Sequence, residues 1–210
     1  MKRLLVTGTD TGVGKTVVSA LLCAALDAMY WKPVQTGSRE GTDRETVRRL
    51  AALAPGDEIP ETYLLPEPVS PHLAAKWNGV HIRLEAIRKP SIPETKWLIV
   101  EGAGGVLVPL NDTDFMVDLM KFLAFPVVLV TRTSLGTINH TLLSLEALRR
   151  RSIAVAGIVL NGGENRDNRE ALERYGRVPI LGWVPPLPEI SREKLRQVFE
   201  AHFDKSHFTI

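Results

Sequence analysis

The chain alternates short apolar runs, of the length of β-strands, with longer segments in which apolar residues recur at helical spacing. The later apolar runs are continuous stretches of Val, Ile and Leu, which is typical of strands buried on both faces. The predicted strands are residues 4–7, 29–34, 97–100, 126–131, 153–160 and 178–181. The predicted helices are residues 15–28, 43–54, 115–122, 138–150, 168–175 and 191–203.

This alternation, with connections long enough for crossovers, predicts an α/β fold: a mostly parallel central β-sheet with helices on both faces. A length of 210 residues suits one substantial domain, and no linker rich in Pro, Gly or Ser divides the chain. Pro66, Pro68 and Pro71 mark an irregular segment, which we predict to be a loop over one end of the sheet. We therefore expect residues 1–210 to form a single domain.

Composition and charge exclude several classes of protein. The net charge of +2 conceals no long block of like charge, so nothing indicates nucleic-acid binding. The single cysteine, Cys23, lies in the apolar stretch LLCAAL, which predicts a buried thiol in a reducing compartment. The basic start MKR precedes only three strongly apolar residues, too few for a signal peptide or a membrane span. We expect a cytoplasmic protein.

Ligands of parallel sheets bind beyond the carboxyl ends of the strands, so the segments that follow the predicted strands should converge. All five such segments are rich in Gly, Thr, Ser, Asn or charged residues. They are GTDTGVGKT, KPVQTGS, EGAGG, TRTSLGTINH and NGGENRD. We predict one ligand site at this edge of the sheet.

The segment GTDTGVGKT has the strand, Gly-rich turn and helix order of a phosphate-binding P-loop. Its spacing is irregular, because five residues separate Gly8 from Gly14, whereas the usual motif has about four. The glycines let the backbone approach phosphates, Lys15 would reach the terminal phosphates, and the Thr16 hydroxyl can bind Mg²⁺. The motif predicts a nucleotide site and leaves its subclass open.

Two carboxylates follow the predicted strands near this loop. Glu101 ends the run WLIVE, where a second Mg²⁺ ligand would belong. The alternative is a strand-end glutamate in water, against which the following GAGG argues, since that backbone can come close to a ligand. Asp43 is a third candidate oxygen ligand, and it would equally serve as the N-cap of a helix over residues 44–53.

The segment KPVQTGS supplies further candidates. Lys32 follows the run MYW and precedes Pro33, which puts a cation at the rim of the predicted cleft. It would stabilise charge that grows on a transferring phosphate, or it would be an ordinary solvated lysine. Thr36 and Ser38 flank Gly37, and their hydroxyls would bind a substrate or form a turn.

These segments, in this order, resemble the dethiobiotin synthetase family. The resemblance rests on VTGTDTGVGKT, YWKPVQTGS, PVSPHLAA, VEGAGGVLVPL, LGTINHTLL, GIVLNGG and ILGWVPPLP, which extend to about Pro188. It implies a P-loop NTPase-like fold and an ATP- and Mg²⁺-dependent reaction of biotin biosynthesis. In that family 7,8-diaminopelargonic acid and CO₂ form a carbamate and ATP phosphorylates it to a carbamic-phosphoric anhydride. The second amine then displaces phosphate, which gives the cyclic urea of dethiobiotin.

The resemblance also implies roles for single residues. Lys32 would be the catalytic lysine, Lys15 would act beside it, and Mg²⁺ would be held by Thr16, Asp43 and Glu101. ATP would contact Gly12, Val13, Gly14, Lys15, Thr16, Val17, Asp43, Glu101, Gly102, Ala103, Gly104, Asn161, Pro185, Pro186 and Leu187. The diamine substrate would contact Thr11, Thr36, Gly104, Gly105, Leu135 and Asn139. The last two would reach a neighbour's substrate, because the family's enzyme is a homodimer with the diamine at the subunit interface.

Two departures from the family pattern stand out. Some members carry Glu where this chain has Gly12, and residues 20–30 are short for the family, which leaves the entry into the second strand open.

The main rival class is the switch ATPases that position partners, whose loops carry a signature lysine five residues before the P-loop lysine. That position is Asp10 in this chain. Amidotransferase-type synthetases are longer and carry a nucleophilic cysteine, whereas Cys23 lies in the first helical stretch.

Overall fold

The computed structural model describes residues 2–208 and is built on a seven-stranded parallel sheet. Its strands are β1 (Arg3–Gly8), β2 (Met29–Trp31), β4 (Glu58–Ile59), β6 (Leu98–Gly105), β7 (Val127–Arg132), β8 (Val155–Asn161) and β9 (Ile180–Val184). Their order is β4-β2-β6-β1-β7-β8-β9, and every pairing is parallel. Strands β3 (Val34–Gln35) and β5 (Tyr63–Leu64) form a separate two-stranded sheet.

Helices cover both faces of the central sheet. They are α1 (Lys15–Leu26), α2 (Asp43–Ala51), α3 (Pro71–Trp77), α4 (Met116–Leu123), α5 (Thr137–Arg150), α6 (Arg166–Gly176) and α7 (Arg192–His202). Single 3-10 turns occur at Ser38–Glu40, Leu84–Ala86 and Lys205–Phe208. Helices α1, α2 and α7 contribute to one apolar core, and α3, α4, α5 and α6 contribute to the other. The predicted α/β sheet is confirmed.

Strand β1 lies at the centre of the sheet and anchors the site. Leu5 faces one core and Val6 the other, with 1% and 0% of their surfaces exposed. Burying an aliphatic side chain in this way stabilises the fold by roughly 1.5–3 kcal/mol. The Gly-rich loop that follows β1 therefore starts from a rigid base.

Two of the predicted strands that lead into the site have the wrong extent. The strand predicted over residues 29–34 ends at Trp31, because Pro33 cannot donate a ladder hydrogen bond and Val34–Gln35 pairs with β5 instead. The strand predicted to end at Val100 runs on to Gly105, where it pairs with Gly8 of β1. The EGAGG segment is therefore part of a strand and not a loop.

The irregular segment marked by prolines contains more structure than predicted. Strand β5 precedes it, and α3 begins within it at Pro71, a residue whose fixed φ and missing N–H suit the first position of a helix.

The short span after α1 is a single tight turn. Asp27 adopts the left-handed conformation (φ 50°), and the Ala28 N–H donates to the carbonyl of Cys23 at 3.1 Å. Strand β2 then starts at Met29, which resolves the entry that the sequence left open.

Cys23 and the helices bear on the environment that the sequence predicts. The Cys23 side chain is buried, and burial raises the pKa of its thiol well above the usual value. Within residues 2–208, no helix combines the length and the apolar character that crossing a bilayer requires.

Candidate functional site

The predicted edge of the sheet contains a cleft of about 740 Å³. It is lined by residues from the P-loop, from the segment after β2, from the start of α2 and from the end of β6. Of the predicted site residues, the cleft brings together Thr11, Gly12, Gly14, Lys15, Thr16, Lys32, Thr36, Asp43, Glu101, Ala103 and Gly104.

The P-loop joins β1 to α1, and the N-terminal end of α1 has no side-chain cap. Gly14 is the N-cap of α1 in the left-handed conformation (φ 96°). The first N–H groups of α1 therefore remain available for an anion, at the positive end of the helix dipole. Lys15 donates from Nζ to the Asp10 carbonyl at 2.9 Å, and burial is the main cause that lowers the pKa of its ammonium.

Asn161, at the end of β8, supports the loop from the side. Its Nδ2 donates to the Val13 carbonyl at 2.9 Å. A Cβ atom on Gly14 would lie 2.0 Å from that Nδ2, so only glycine fits at this position. Asn161 contacts the loop itself and does not line the cleft.

Four side chains meet at the centre of the cleft. Thr16 Oγ1 lies 2.9 Å from Asp43 Oδ1 and 3.0 Å from Glu101 Oε1. Lys32 Nζ forms an ion pair with Asp43 Oδ2 and lies 3.3 Å from Glu101 Oε1. Lys32 is 5% exposed and Glu101 is 1% exposed. The alternatives of a solvated lysine and of a glutamate in water are therefore wrong.

The charges in this cluster support one another. Burial alone would lower the pKa of Lys32, but the carboxylates of Glu101 and Asp43 outweigh it, and the pKa is raised. Burial alone would raise the pKa of Asp43, but the Lys32 ammonium, the Thr16 hydroxyl and the Lys15 ammonium together outweigh it, and the pKa is lowered. Lys32 and Asp43 are therefore both charged at neutral pH.

Neighbouring residues hold the two carboxylates in place. Thr42 caps α2, where its hydroxyl accepts from the Glu45 N–H at 3.1 Å and its own N–H donates to the Glu45 carboxylate at 2.9 Å. The interpretation of Asp43 as the N-cap is therefore wrong. The Asp43 N–H donates to Gln35 Oε1 at 3.1 Å.

Glu101 has its own support. The Tyr30 hydroxyl donates to Glu101 Oε2 at 3.1 Å, and Tyr30 is itself fully buried. Sequence reasoning missed both Tyr30 and Gln35, since no local pattern signals a hydrogen bond that depends on how distant segments align.

The oxygen atoms of Thr16, Asp43 and Glu101 fit a magnesium ion. Mg²⁺ prefers oxygen ligands and is usually held by one or two carboxylates together with phosphate oxygens. Within residues 2–208, no group of three or more His, Cys, Asp or Glu side chains is placed to hold a metal. The three oxygen atoms are too few to complete the coordination of Mg²⁺, which suits an ion that arrives bound to nucleotide phosphates.

Several predicted residues lie outside the cleft. Gly102 is buried in β6, where a Cβ atom in its place would lie 3.4 Å from Met116 Sδ. A Cβ atom on Gly105 would meet the carbonyl oxygens of Gly8 and Thr9. Val13 is buried behind the loop, and Val17 packs against the core of α1. Gly102, Gly105 and Val13 would therefore contact a ligand only through the backbone, whereas Val17 is half-buried.

The remaining predicted residues lie on other surfaces. Pro185, Pro186 and Leu187 line a separate cavity of about 330 Å³ beside α7. Leu135 lies just before α5 and Asn139 lies in its first turn; both are exposed, and neither lines the cleft. Within one chain, the structure does not bring these five residues to the Lys32 cluster.

The irregular segment supplies a wall of the cleft that received no role from the sequence. Pro68, Val69, Ser70 and Pro71 all line it. The Ser70 hydroxyl lies 3.0 Å from Nδ1 of His72, a residue in the first turn of α3. The motif PVSPHLAA was the available signal for this part of the site.

A Gly-rich loop that runs from a central parallel strand into the uncapped start of α1, with two carboxylates beside it, is the arrangement of a P-loop nucleotide-binding protein. Consistent with this class, the family model described as "AAA domain" matches residues 2–194. A solved structure of similar fold is the septum site-determining protein MinD of Pyrococcus horikoshii, complexed with Mg-ADP. It has a TM-score of 0.53 and 16% identity over 94% of this chain and 92% of that chain. This likeness shows the fold alone.

Curated relatives define the family more closely. The ATP-dependent dethiobiotin synthetases BioD of Brucella melitensis biotype 2 and of Brucella ovis are each 50% identical to this chain over 208 residues. Each match covers 98% of this chain and 96% of the relative. The chain belongs to the dethiobiotin synthetase family, which confirms the resemblance read from its motifs.

Proposed function

We propose that this chain carboxylates 7,8-diaminopelargonic acid with CO₂ and closes its ring to dethiobiotin, with Mg-ATP converted to ADP and phosphate. The observation that carries this proposal is Lys32, a buried ammonium paired with Asp43 and Glu101 in the cleft that the P-loop also lines. A protein that only binds nucleotide has no need of a second buried lysine there. The relatives named ATP-dependent dethiobiotin synthetase support the same reaction.

The triphosphate of ATP would lie along the P-loop. The N–H groups around Gly12, Val13 and Gly14 and the start of α1 would bind its oxygens. Lys15 would leave the Asp10 carbonyl for the terminal phosphates, as a P-loop lysine does. Further ATP contacts would come from Val17, Gly102, Ala103, Gly104, Asn161, Pro185, Pro186 and Leu187.

Thr16, Asp43 and Glu101 would hold Mg²⁺ through their oxygen atoms. When bound, the ion neutralises charge on the terminal phosphates. Lys32 stays protonated beside them, because both carboxylates favour its charged form.

The reaction would form and break bonds in three steps. One amine of the substrate adds to CO₂ and loses a proton, which gives a carbamate. A carbamate oxygen attacks the γ-phosphorus and ADP leaves. The second amine attacks the carbamate carbon, and the bond to the phosphate oxygen breaks as the amine loses a proton.

Residues of the cleft would position these groups. Lys15 and Lys32 would stabilise the negative charge that develops on the phosphoryl and carbamate oxygens, which is the type of interaction that accelerates phosphoryl transfer. Thr11, Thr36, Gly104 and Gly105 would contact the diamine. Three of these four residues line the cleft, and Gly105 follows Gly104 at the end of β6.

We further propose that residues 1–210 act as one domain, in the cytoplasm, as a homodimer. Leu135 is fully exposed just before α5, and Leu143 is 57% exposed on α5, one helical turn after Asn139. Such exposed aliphatic side chains favour a protein contact. Leu135 and Asn139 would then approach the diamine bound by the neighbouring subunit.

Replacing Leu135 with Asp is expected to convert the dimer into monomers, because a charge would be buried in an apolar contact. Light scattering after size-exclusion chromatography measures the mass of each species. Tyr175→Asp, on the exposed surface of α6, is the control and should leave the mass unchanged. A wild-type protein that is monomeric at concentrations where it turns over would contradict the homodimer.

Replacing Glu101 with Gln is expected to weaken the binding of Mg-ADP by about tenfold, because one charged oxygen ligand becomes a neutral amide. The affinity for ADP without Mg²⁺ should stay within about twofold. Titration calorimetry with and without Mg²⁺ measures both affinities, and Glu58→Gln on β4 is the control. An unaltered dependence on Mg²⁺ would remove Glu101 from the ligand set.

The proposed reaction is tested by phosphate release from Mg-ATP in the presence of bicarbonate. Release should require the diamine. Hydrolysis of ATP that does not require the diamine would favour a switch ATPase and contradict the proposed reaction.

A further inference from the structure

We propose that Arg132 is a positioning residue, which holds the peptide between Thr11 and Gly12 in the orientation that receives phosphate. Arg132 is the last residue of β7, the strand next to β1. Its guanidinium Nη2 donates to the Thr11 carbonyl at 3.1 Å. This is the single side-chain hydrogen bond that Arg132 makes within the part of the chain that the structure describes.

The direction of that bond determines the direction of an N–H group. No cis peptide occurs in residues 2–208, so the Thr11 carbonyl and the Gly12 N–H point to opposite sides of one trans peptide. Thr11 and Gly12 both line the cleft, whereas Arg132 does not. The Gly12 N–H therefore points away from Arg132, and Gly12 lines the cleft in which phosphate would lie.

The peptide needs an anchor because Gly12 does not constrain it. Gly12 has φ 69°, and a glycine adopts either sign of φ at little cost, so this peptide can rotate more easily than its neighbours. A carbonyl rotated into the cleft would point a partial negative charge at a phosphate. The guanidinium lies directly beside this residue, since a Cβ on Gly12 would make an ordinary van der Waals contact with Arg132 Nη2 at 3.5 Å.

A chain of hydrogen-bonded threonine hydroxyl groups holds the backbone of Arg132. Thr137 Oγ1 donates to the Arg132 carbonyl at 2.6 Å, so its hydrogen is used. Thr131 must therefore donate to Thr137 Oγ1, which lies 2.7 Å away, and Thr131 accepts from Thr141 at 2.9 Å. Thr9 Oγ1 also reaches Thr131 Oγ1 at 3.4 Å. The end of β7 thus supports the P-loop at two points, Thr9 and Thr11.

This inference rests on the proposed placement of nucleotide phosphates at the P-loop, and its test uses Mg-ADP alone. Arg132→Met should raise the Kd for Mg-ADP by about five- to tenfold, the effect of losing one hydrogen bond. Because Arg132 is exposed, the melting temperature should stay the same. Arg132→Lys keeps a donor and should recover part of the affinity. Arg150→Met, at the far end of α5, is the control.

A second readout separates positioning from a general loss of structure. In ¹⁵N-labelled wild-type protein, the Gly12 amide resonance should move downfield on addition of Mg-ADP, and in Arg132→Met this shift should be lost. Equal Kd values and equal Gly12 shifts in wild type and Arg132→Met would overturn the inference and leave the proposed function intact. A wild-type protein that does not bind Mg-ADP would overturn both.

Discussion

Replacing Lys32 with Met is expected to lower kcat by about a thousandfold, because a preorganised charge that stabilises a transition state contributes rate enhancement of this order. The Kd for Mg-ADP should change by less than about threefold, since the proposed role of Lys32 lies in the chemical step. Single-turnover kinetics and calorimetry measure the two quantities. The contrast between them is the signature of a catalytic residue.

The same substitution leaves Asp43 and Glu101 without their shared cation. Breaking a buried ion pair on one side costs about 3–5 kcal/mol, so the melting temperature of Lys32→Met should fall in the absence of Mg²⁺. Adding Mg²⁺ should restore part of the lost stability in this variant, because the ion would pair with the same carboxylates.

Lys96 offers a matched control. Its Nζ lies 3.0 Å from Asp27 and 3.1 Å from Asp57, so it also bridges two carboxylates, but away from the cleft. Lys96→Met should leave kcat unchanged. A Lys32→Met enzyme that keeps kcat within about tenfold of wild type would remove Lys32 from the mechanism.

Replacing Gly14 with Ala is expected to weaken Mg-ADP binding by about a hundredfold, which corresponds to about 2.7 kcal/mol. Two costs combine. The left-handed φ of 96° strains an alanine. The new Cβ would lie 2.0 Å from Asn161 Nδ2, which would push Asn161 off the Val13 carbonyl.

Gly56 separates these two costs. It has φ 91°, and a Cβ there would meet nothing within 4 Å, so Gly56→Ala imposes the backbone strain without the clash. This control should lose a little stability and keep its affinity for Mg-ADP. The double variant Gly14→Ala/Asn161→Ala removes the clash and should be more stable than Gly14→Ala alone. Equal affinity in Gly14→Ala and wild type would show that Gly14 is not needed at the loop.

Features carried by local sequence could be predicted well. The P-loop could be placed because its glycines, its lysine and its strand-to-helix context are consecutive in the chain. The sheet could be predicted because buried parallel strands appear as unbroken apolar runs, as 126–131 does.

Features that depend on strand register could not be predicted. Glycine disfavours strands, so EGAGG gave no sign that β6 continues to Gly105. The strand extends that far because Gly105 pairs with Gly8 of β1. The bond between Tyr30 and Glu101 joins residues 71 positions apart, and no pattern within either segment reveals it.

The role of Asp43 shows how context removes an ambiguity. A carboxylate at the start of a helix is either a cap or a ligand, and spacing cannot choose between them. The structure places the capping box on Thr42 and Glu45, which leaves the Asp43 carboxylate free to meet Lys32 and Thr16.

The most direct test of the proposed reaction is mass spectrometry of the product formed from 7,8-diaminopelargonic acid, Mg-ATP and [¹³C]bicarbonate. If the chain is a dethiobiotin synthetase, the product is dethiobiotin carrying the heavy carbon, formed in equal amount to the phosphate released. Phosphate release without labelled dethiobiotin would contradict the proposed carboxylation and ring closure.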